Sequence, residues 1–544
     1  MKSLLFKLAL LAMTMMVACN GKEKVDPDNG GNDNNETLEP GLIITATELY
    51  LTPVYTRKDR NTELSFVINN PDRNPKNVTA RLVLPSTVSL ASGNLAQKIS
   101  LPSINTKRAV WNIRSSATGQ AVITVRVETD KLYSQTDFTI DFHEALAVTS
   151  PAYIPTPVSP STGDYLVGAF HCPLWYPEPT GVYGLPTIWN PFKNKYSERI
   201  PVLGMYNENN PEIIDWEIKY AAEHGISFFA DCWFRNASNP GKSPVTGFLD
   251  HWSRRYDEAQ FKDHVKLSLL YENENPAGQN ASGTSLGAVG ATAAQRKADF
   301  LNNLVPYWIE SYFKKSYYLK VEGNKPYFGI IGFNKFVSDM GSEAEAIDAI
   351  TQFRQQVVAA GFSGLFLYTQ YVQNPTTAVL AATQRLGFDA ITSYHMITFT
   401  GQVPMANYKS QSTLTAAQEA YWPMMKSASG VANCYPTVSM GWNSVPWGGS
   451  PLVDWMLTPV SFASVCAKAK SFVDKTDNIT YGPKIIMLDN WNEFAEGHYI
   501  APTQKYGFQY LDAVHSSFAT TNPAHTDIVP QDIGRGPYEY PIGE

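Results

Sequence analysis

The stretch KIIMLDNWNEFAEGHYIAP, residues 484–502, opens with a short apolar run and then changes character at Asp489. Ile485 to Leu488 reads as a buried strand. The residues after it are carboxylates, amides and aromatics, with Glu493 and Glu496 only three positions apart. An apolar strand that ends in polar, reactive side chains is the local form expected of a parallel β/α barrel, whose functional residues stand at the C-terminal ends of the strands. The same form recurs upstream. "YLVGAFHCP" from Tyr165, "SFFADCWF" from Ser227, "VKLSLLYENEN" from Val265, "KPYFGIIGF", "GLFLYTQ", "AITSYH" and "CYPTVSMGW" precede it. Between them lie segments of helical period, over Glu212–His224, Ala294–Phe313, Glu343–Ala360, Thr376–Leu386, Thr415–Ser427 and Ser461–Asp474. Eight strands alternating with helices in residues 165–544 predict an α/β fold, a (β/α)8 TIM barrel. A doubly wound sheet is the alternative, but no G-x-G-x-x-G turn follows the first strand.

The region before the barrel reads differently. From 41 to 147, short segments such as "TELSFVINN", "NVTARLVLP" and "GQAVITVRVET" alternate polar and apolar residues between turn-forming stretches. That pattern predicts a small all-β, immunoglobulin-like sandwich of about seven strands. Residues 148–164 form a Pro-rich linker, extended and stiff. At the N-terminus, Lys2 and Lys7 flank an apolar stretch too short to span a bilayer, ending at Cys19. This resembles a bacterial lipoprotein signal (residues 1–19), with Cys19 as the lipidated residue. Residues 20–40 are polar, acidic and rich in Gly and Asn, as a flexible tether is. The expectation is an exported lipoprotein of the outer membrane, facing the cell surface, held to the membrane only through its lipid.

Composition narrows the partners. The chain has 544 residues, 44% hydrophobic, so it can bury a large core. Its net charge of −7 and lack of a Lys/Arg cluster argue against nucleic acid. Aromatics make up 12%, a surplus that can stack on sugar rings or simply pack. Cys172, Cys232, Cys434 and Cys466 form no C-x-x-C pair and read as buried, unpaired thiols. The nine His are scattered without H-E-x-x-H, so no metal and no cofactor is implied. A G-x-S-x-G elbow is also absent.

The strand ends gather His171, Trp175, Asp231, Trp233, Tyr271, Asn273, Glu274, Tyr394, His395, Trp442, Asn443, Trp491, Asn492 and Tyr499. Carboxylates, amides and indoles collected at one rim suit a polyol ligand, so these are the expected substrate-binding residues. Each has a plainer reading: the indoles as barrel-top packing, Asp231 as the partner of Arg235, Glu496 as the opening residue of the last helix. Glycoside hydrolysis needs two carboxyl groups beside one bond. Glu493 and Glu496 are the expected catalytic pair, with repulsion and burial raising one pKa.

The segment DNWNEFAEGHYIAPTQKYGFQYLDAV resembles the last-strand signature of the glycoside hydrolase family 99-related, WbsX-like proteins, of the form A-W-N-E-W-A-E-G-x-Y-L-E-P. "YYLKVEGNKPYFGI", "YENEN", "YPTVSMGWNSVPW" and "IPVLGMYNENNPEIIDWEIKYAAEHGISFFADCWF" resemble further family segments, so the likeness covers about Tyr165 to Ala519. It implies a retaining glycosidase acting, as a monomer, on a polysaccharide or oligosaccharide. In that family the first motif carboxylate, here Glu493, deprotonates the sugar 2-hydroxyl, which attacks C1 to give a 1,2-anhydro sugar. The second, here Glu496, is the acid and then the base. The geometry required is that of an α-mannoside. Phe494, Ala501, Asn443 and the Ala169-Phe170-His171 run depart from the family pattern and bear on substrate more than on mechanism. The group is also called glycosyltransferase; a non-catalytic glycan-binding lipoprotein is the reading from another class.

Overall fold

The computed structural model describes residues 38–176, 188–234, 251–273, 290–371, 376–394 and 403–539. The expectations for residues 1–37, Cys19 among them, and those for Glu274 and His395 lie outside the described residues.

Residues 39–142 form two facing antiparallel sheets. One runs, in spatial order, Thr45–Thr52, Asn61–Asn70, Asn105–Ser115 and Val88–Ser92. The other runs Leu132–Phe142, Gly119–Glu128, Lys76–Val83 and Ala96–Leu101, with the short Glu39–Pro40 strand pairing in parallel at its edge. Alternation decides the faces: along Gly119–Glu128, Ala121, Ile123, Val125 and Val127 point inward and their neighbours outward. These side chains meet Leu64, Phe66, Ile68, Trp111 and Ile113 in a core of their own.

Beyond it the chain builds a curled sheet whose main strands run parallel, with the short Lys320–Val321 strand pairing antiparallel at one of them. The main strands are β1 (Tyr165–His171), β2 (Phe228–Phe234), β3 (Lys266–Glu272), β4 (Lys325–Ile331), β5 (Phe366–Tyr371) and β6 (Ala390–Ser393), each paired in parallel with the next. β7 comes in two pieces around Tyr435-Pro436. Asn433–Cys434 pairs with β6, and Thr437–Val438 pairs with β8 (Lys484–Leu488). Pro436 has no N–H to give, yet its carbonyl accepts from Met487 N at 3.0 Å. β8 pairs with β1, so the sheet returns to the segment where it began. Helices lie between successive strands, including Pro211–Glu223 after β1, Glu343–Ala359 after β4, Gln411–Ser429 after β6, Pro459–Val473 after β7 and Gln509–Phe518 after β8.

The strands are buried on both faces, as parallel sheets are. One face packs against the helices in the large core cluster. The other fills the inside of the curl with Phe170, Phe228, Leu270, Tyr327, Phe366, Tyr368, Tyr435 and Met487. Rings of that size need small neighbours. A Cβ on Gly168 would sit 2.2 Å from Phe228, and one on Gly329 would sit 2.4 Å from Tyr368.

The Pro-rich segment between the two bodies carries no regular element and is tied down along its length. Tyr153 Oη donates to Asp215 Oδ2 at 2.6 Å, and Thr149 N donates to Asp532 O at 3.1 Å. The chain's final segment also reaches the sandwich. Buried Arg57 donates from Nε to Asp532 Oδ1 at 2.8 Å and from Nη2 to Oδ2 at 2.7 Å, and Arg60 joins them. Burial raises the Asp532 pKa, but the two guanidiniums outweigh it and hold the carboxyl below its usual range.

Candidate active site

Past the end of β8 the chain makes a tight hairpin that carries the carboxylate pair. Asn492 and Glu493 pair antiparallel with Tyr499 and His498. The turn closes through Gly497 N and Glu496 N donating to Glu493 O, at 3.0 and 3.2 Å. Gly497 is required here: its φ is +76°, and a Cβ would lie 2.8 Å from Asn443 N. From outside, buried Arg199 clamps the hairpin, donating to Phe494 O at 2.9 Å and Asn443 O at 3.0 Å. Glu496 therefore sits in the hairpin turn and opens no helix; the last helix begins at Gln509.

Glu493 is 4% exposed, and its Oε2 has no hydrogen-bond partner. Burial, then the nearby charge of Glu496, pushes its pKa up to about 8. Glu496 is partly open to solvent and firmly held. Tyr394 Oη donates to its Oε2 at 3.0 Å, and His498 Nε2 lies 3.0 Å from the same oxygen. The other ring nitrogen of His498 lies 3.1 Å from Asp489 Oδ1. Burial alone would lower the His498 pKa; Asp489 and Glu496 reverse this and raise it to about 10, so the ring is an imidazolium at neutral pH. Trp442 covers that ring at 5.1 Å. The result is a buried row, Asp489–His498–Glu496, with Tyr394 across its end and Glu493 beside it.

A second network lies around β1 and β2. His171 donates from Nδ1 to Asp231 Oδ1 at 2.8 Å and stacks on Trp252 at 3.7 Å. Its Nε2 faces Asn492 Nδ2 at 3.1 Å and two carboxylates, Glu208 and Glu217, each at 3.9 Å. Burial is the main cause of raised pKa values at both, about 8 at Glu217 and well above the usual carboxylate range at Glu208. These three residues could bracket a cation, but the space between them is already filled with donors. Asn492 Nδ2 donates to Glu208 Oε1 at 2.8 Å, and Trp252 and Trp491 donate to Glu217 at 2.9 and 3.2 Å. The cluster acts as a hydrogen-bond cage that fixes Asn492, the residue preceding Glu493.

The sequence reading thus divides. Glu493, Glu496, Tyr394 and Trp442 come together at the mouth. His171, Asp231 and Asn492 belong to the buried cage beside it. Asn273 is 1% exposed at the end of β3, and neither side-chain atom has a hydrogen-bond partner; Gln370 on β5 is in the same state. Trp175, Trp233, Tyr271, Trp491 and Tyr499 lie deeper than the mouth. Each is at most 1% exposed and packed among aromatics: Trp175 on Trp189 at 4.1 Å, Trp233 on Trp308 at 5.3 Å, Tyr271 on Trp308 at 4.9 Å, Trp491 on Phe229 at 5.2 Å and Tyr499 on Phe494 at 5.3 Å. Asn443 spends its amide on Asp454 Oδ1 at 3.1 Å and accepts from Val445 N at 3.2 Å, so it shapes its own turn. Glu208, Glu217, Asp489 and His498 are functional candidates that the sequence reading did not select.

Residues 188–514, more than half of the chain, match the family described as "Glycosyltransferase WbsX". The chain belongs to the WbsX family. Among solved structures, this WbsX-family chain is similar to a "Glycoside hydrolase-like protein" at 18% identity and a TM-score of 0.46, over 68% of this chain and 98% of the other. It is also similar to the GH99 endo-alpha-mannosidase of Bacteroides thetaiotaomicron, at 17% identity and a TM-score of 0.41 in complex with BIS-TRIS-propane, over 65% of this chain and 95% of that one. A second structure of that enzyme gives 15% identity and a TM-score of 0.42. Among curated proteins none matches the chain.

Proposed function

We propose that this WbsX-family protein is a glycoside hydrolase that cleaves a complex glycan with retention, using Glu493 and Glu496. The observation that carries the reading is the pair itself: a buried carboxyl with one unpartnered oxygen beside a second carboxyl fixed by Tyr394 and His498. In the first step Glu493, once ionised, takes the proton of the sugar 2-hydroxyl. O2 attacks C1, the bond from C1 to the leaving oxygen breaks, and that oxygen takes its proton from Glu496. In the second step Glu496 takes a proton from water, the water oxygen attacks C1, the C1–O2 bond breaks, and O2 recovers its proton from Glu493. O2 must lie anti to the leaving group, which favours α-mannoside-like linkages. His498 and Asp489 hold the Glu496 carboxyl and keep a proton one hydrogen bond away from it. The unpartnered amides of Asn273 and Gln370 suit sugar hydroxyls, because buried polar groups need partners.

The family's description favours a second reading, glycosyl transfer. The same first step serves both, and a sugar hydroxyl then replaces water in the second. A panel of α-linked glycans incubated with wild type and Glu496→Gln, with and without acceptor sugars, separates the readings. Hydrolysis by wild type alone supports the proposal. Elongated products only with acceptor would favour transfer. Binding without turnover in both proteins would leave a glycan-binding module. On the sequence alone we further propose that residues 1–19 direct export with lipidation at Cys19, that the chain works at the outer membrane as a monomer, that the N-terminal sandwich is immunoglobulin-like, and that the curled sheet is a full (β/α)8 barrel.

A further inference from the structure

Away from the carboxylate hairpin, His224 meets two histidines from near the other end of the chain, His515 and His525. His224 caps the C-terminal end of the helix Pro211–Glu223, His515 lies on the helix Gln509–Phe518, and His525 lies in the extended segment that follows. Their ring centroids are 5.1 Å apart for His224 and His525, 5.7 Å for His515 and His525, and 6.4 Å for His224 and His515. Asp527 completes the group.

The decisive detail is the tautomer of His224, which is fully buried. Its Nδ1 lies 2.7 Å from Tyr220 O. A carbonyl can only accept, so Nδ1 carries a proton, and Nε2 on the far side of the ring is left to take either a second proton or a metal ion. Nε2 has no hydrogen-bond partner among the described residues; it faces Asp527 Oδ1 at 3.4 Å, itself buried and without one, and Asp512 Oδ1 at 3.8 Å. His525 Nε2 lies 3.7 Å from the same carboxylate oxygen. His515 Nε2 is a third buried nitrogen with no partner. Acceptors aimed at one another in a buried space call for a shared positive charge. A ring N–H held by a backbone carbonyl, leaving the other nitrogen bare, is the arrangement that orients a metal-binding histidine.

We propose that His224, His525 and Asp527 bind a divalent transition-metal ion of the zinc class. The ligand atoms of the three lie within 4.8 Å of one another. Ligands about 2.0–2.2 Å from a tetrahedral zinc stand roughly 3.3–3.6 Å apart, close to the observed contacts. Imidazole with carboxylate is a donor set that suits zinc rather than magnesium or calcium. Entry is open, because the side chains of His525 and Asp527 are 16% and 23% exposed. The ion has a structural task. Asp527 O accepts from Arg57 Nη2 at 2.7 Å, and Arg57 also holds Asp532. A metal on Asp527 and His525 therefore pins the segment on which the sandwich arginine bears to two barrel helices.

The test uses the full chain, stripped with a chelator and then titrated with Zn²⁺, or with Co²⁺ as a spectroscopic probe. Metal content and thermal unfolding are read for wild type, His525→Ala, Asp527→Ala and, as a control, His264→Ala at an exposed histidine elsewhere. Wild type and the control are expected to retain one ion per chain, to give the visible absorption of tetrahedral Co²⁺ and to melt several degrees higher with zinc. His525→Ala and Asp527→Ala are expected to weaken binding at least tenfold and to lose the zinc-dependent rise in Tm. His525 is partly exposed, so its removal leaves the fold intact. Wild-type affinity equal to that of His525→Ala, or a wild-type Tm indifferent to zinc and chelator, overturns the proposal and leaves a shared proton between His224 and Asp527 in its place.

Discussion

The sandwich core and the carboxylate-lined mouth solve the problem of burial in opposite ways. The sandwich buries aliphatic side chains and three large aromatics, and its buried Asn70 is well supplied, with Nδ2 donating to Asn74 O at 3.1 Å and Pro102 O at 2.8 Å. The mouth and its adjoining cage bury Asp231, Glu208, Glu217, Asp489, Glu493, His171 and His498. Removing charge from water is expensive, so such groups shift their pKa values or pair up. A fold does not need that many of them to be stable. What the difference teaches is where stability and chemistry are separable: substitutions in the mouth should move rates, and substitutions at the sandwich junction should move stability.

The largest expected effect is on turnover. Glu493→Gln and Glu496→Gln should each lower kcat by about 10²–10⁴-fold. Glu493→Gln should also leave the protein more stable above neutral pH. The unfolded carboxyl gives up its proton near 4.5, the folded one near 8. Between those values folding takes up a proton, so stability falls as pH rises from about 4.5 to 8 and is flat beyond. Glutamine removes that loss, on the order of 2–4 kcal/mol at pH 8. Unfolding curves at pH 5 and 8 check it; a wild type and variant with the same pH trend would break the contrast between the two regions.

Next comes the junction. Asp532→Ala strands the buried Arg57 guanidinium, whose side chain is only 4% exposed. A loss of about 3–5 kcal/mol in stability is expected, with kcat unchanged below the transition. Denaturant unfolding and kinetics on one preparation decide this. A comparable fall in kcat would mean that the sandwich junction and the mouth are coupled.

His498→Gln should lower the rate and, by leaving buried Asp489 without its cation, the stability as well. Glutamine can still reach toward Glu496 but carries no charge, so a loss of roughly 10–100-fold in kcat is expected, with KM little altered. An unchanged kcat would reduce the Asp489–His498 arm to packing.

Much of the architecture was legible because it depends on repetition. Apolar runs such as Ile485–Leu488, each ending in polar residues, recur at every barrel strand, and alternation such as that of Gly119–Glu128 marks the sandwich. The depth of a side chain was not legible. Trp175, Trp233 and Trp491 sit at strand ends like Trp442, yet three are core and one faces His498, because a parallel strand buries both faces and its sequence cannot say which layer an indole joins. Glu217 was hidden for a related reason. Eleven of the thirteen residues of its helix are buried, so a glutamate that looks like a solvent-facing position points into the cage. His498 stood in plain view between Gly497 and Tyr499, and its meaning depends on Asp489, nine residues back, reaching it only after the hairpin folds. The His224–His525 meeting has no local signature at all, since the two residues are some three hundred positions apart.

The smallest expected effect is the most discriminating about the division of labour. If Glu493 must be ionised and His498 protonated, kcat/KM should rise with pH through about 8 and fall through about 10. The positive charge of His498 lowers the Glu493 pKa, so its removal should move the acid limb upward. The expected displacement is up to about one pH unit, or about 1.4 kcal/mol. His498→Gln should abolish the alkaline limb at the same time. An acid limb that stays fixed, or moves downward, would mean that Glu493 is not the group that must lose its proton. The roles of the two glutamates would then have to be exchanged, with the buried carboxyl as the acid and the one beside the imidazolium as the base.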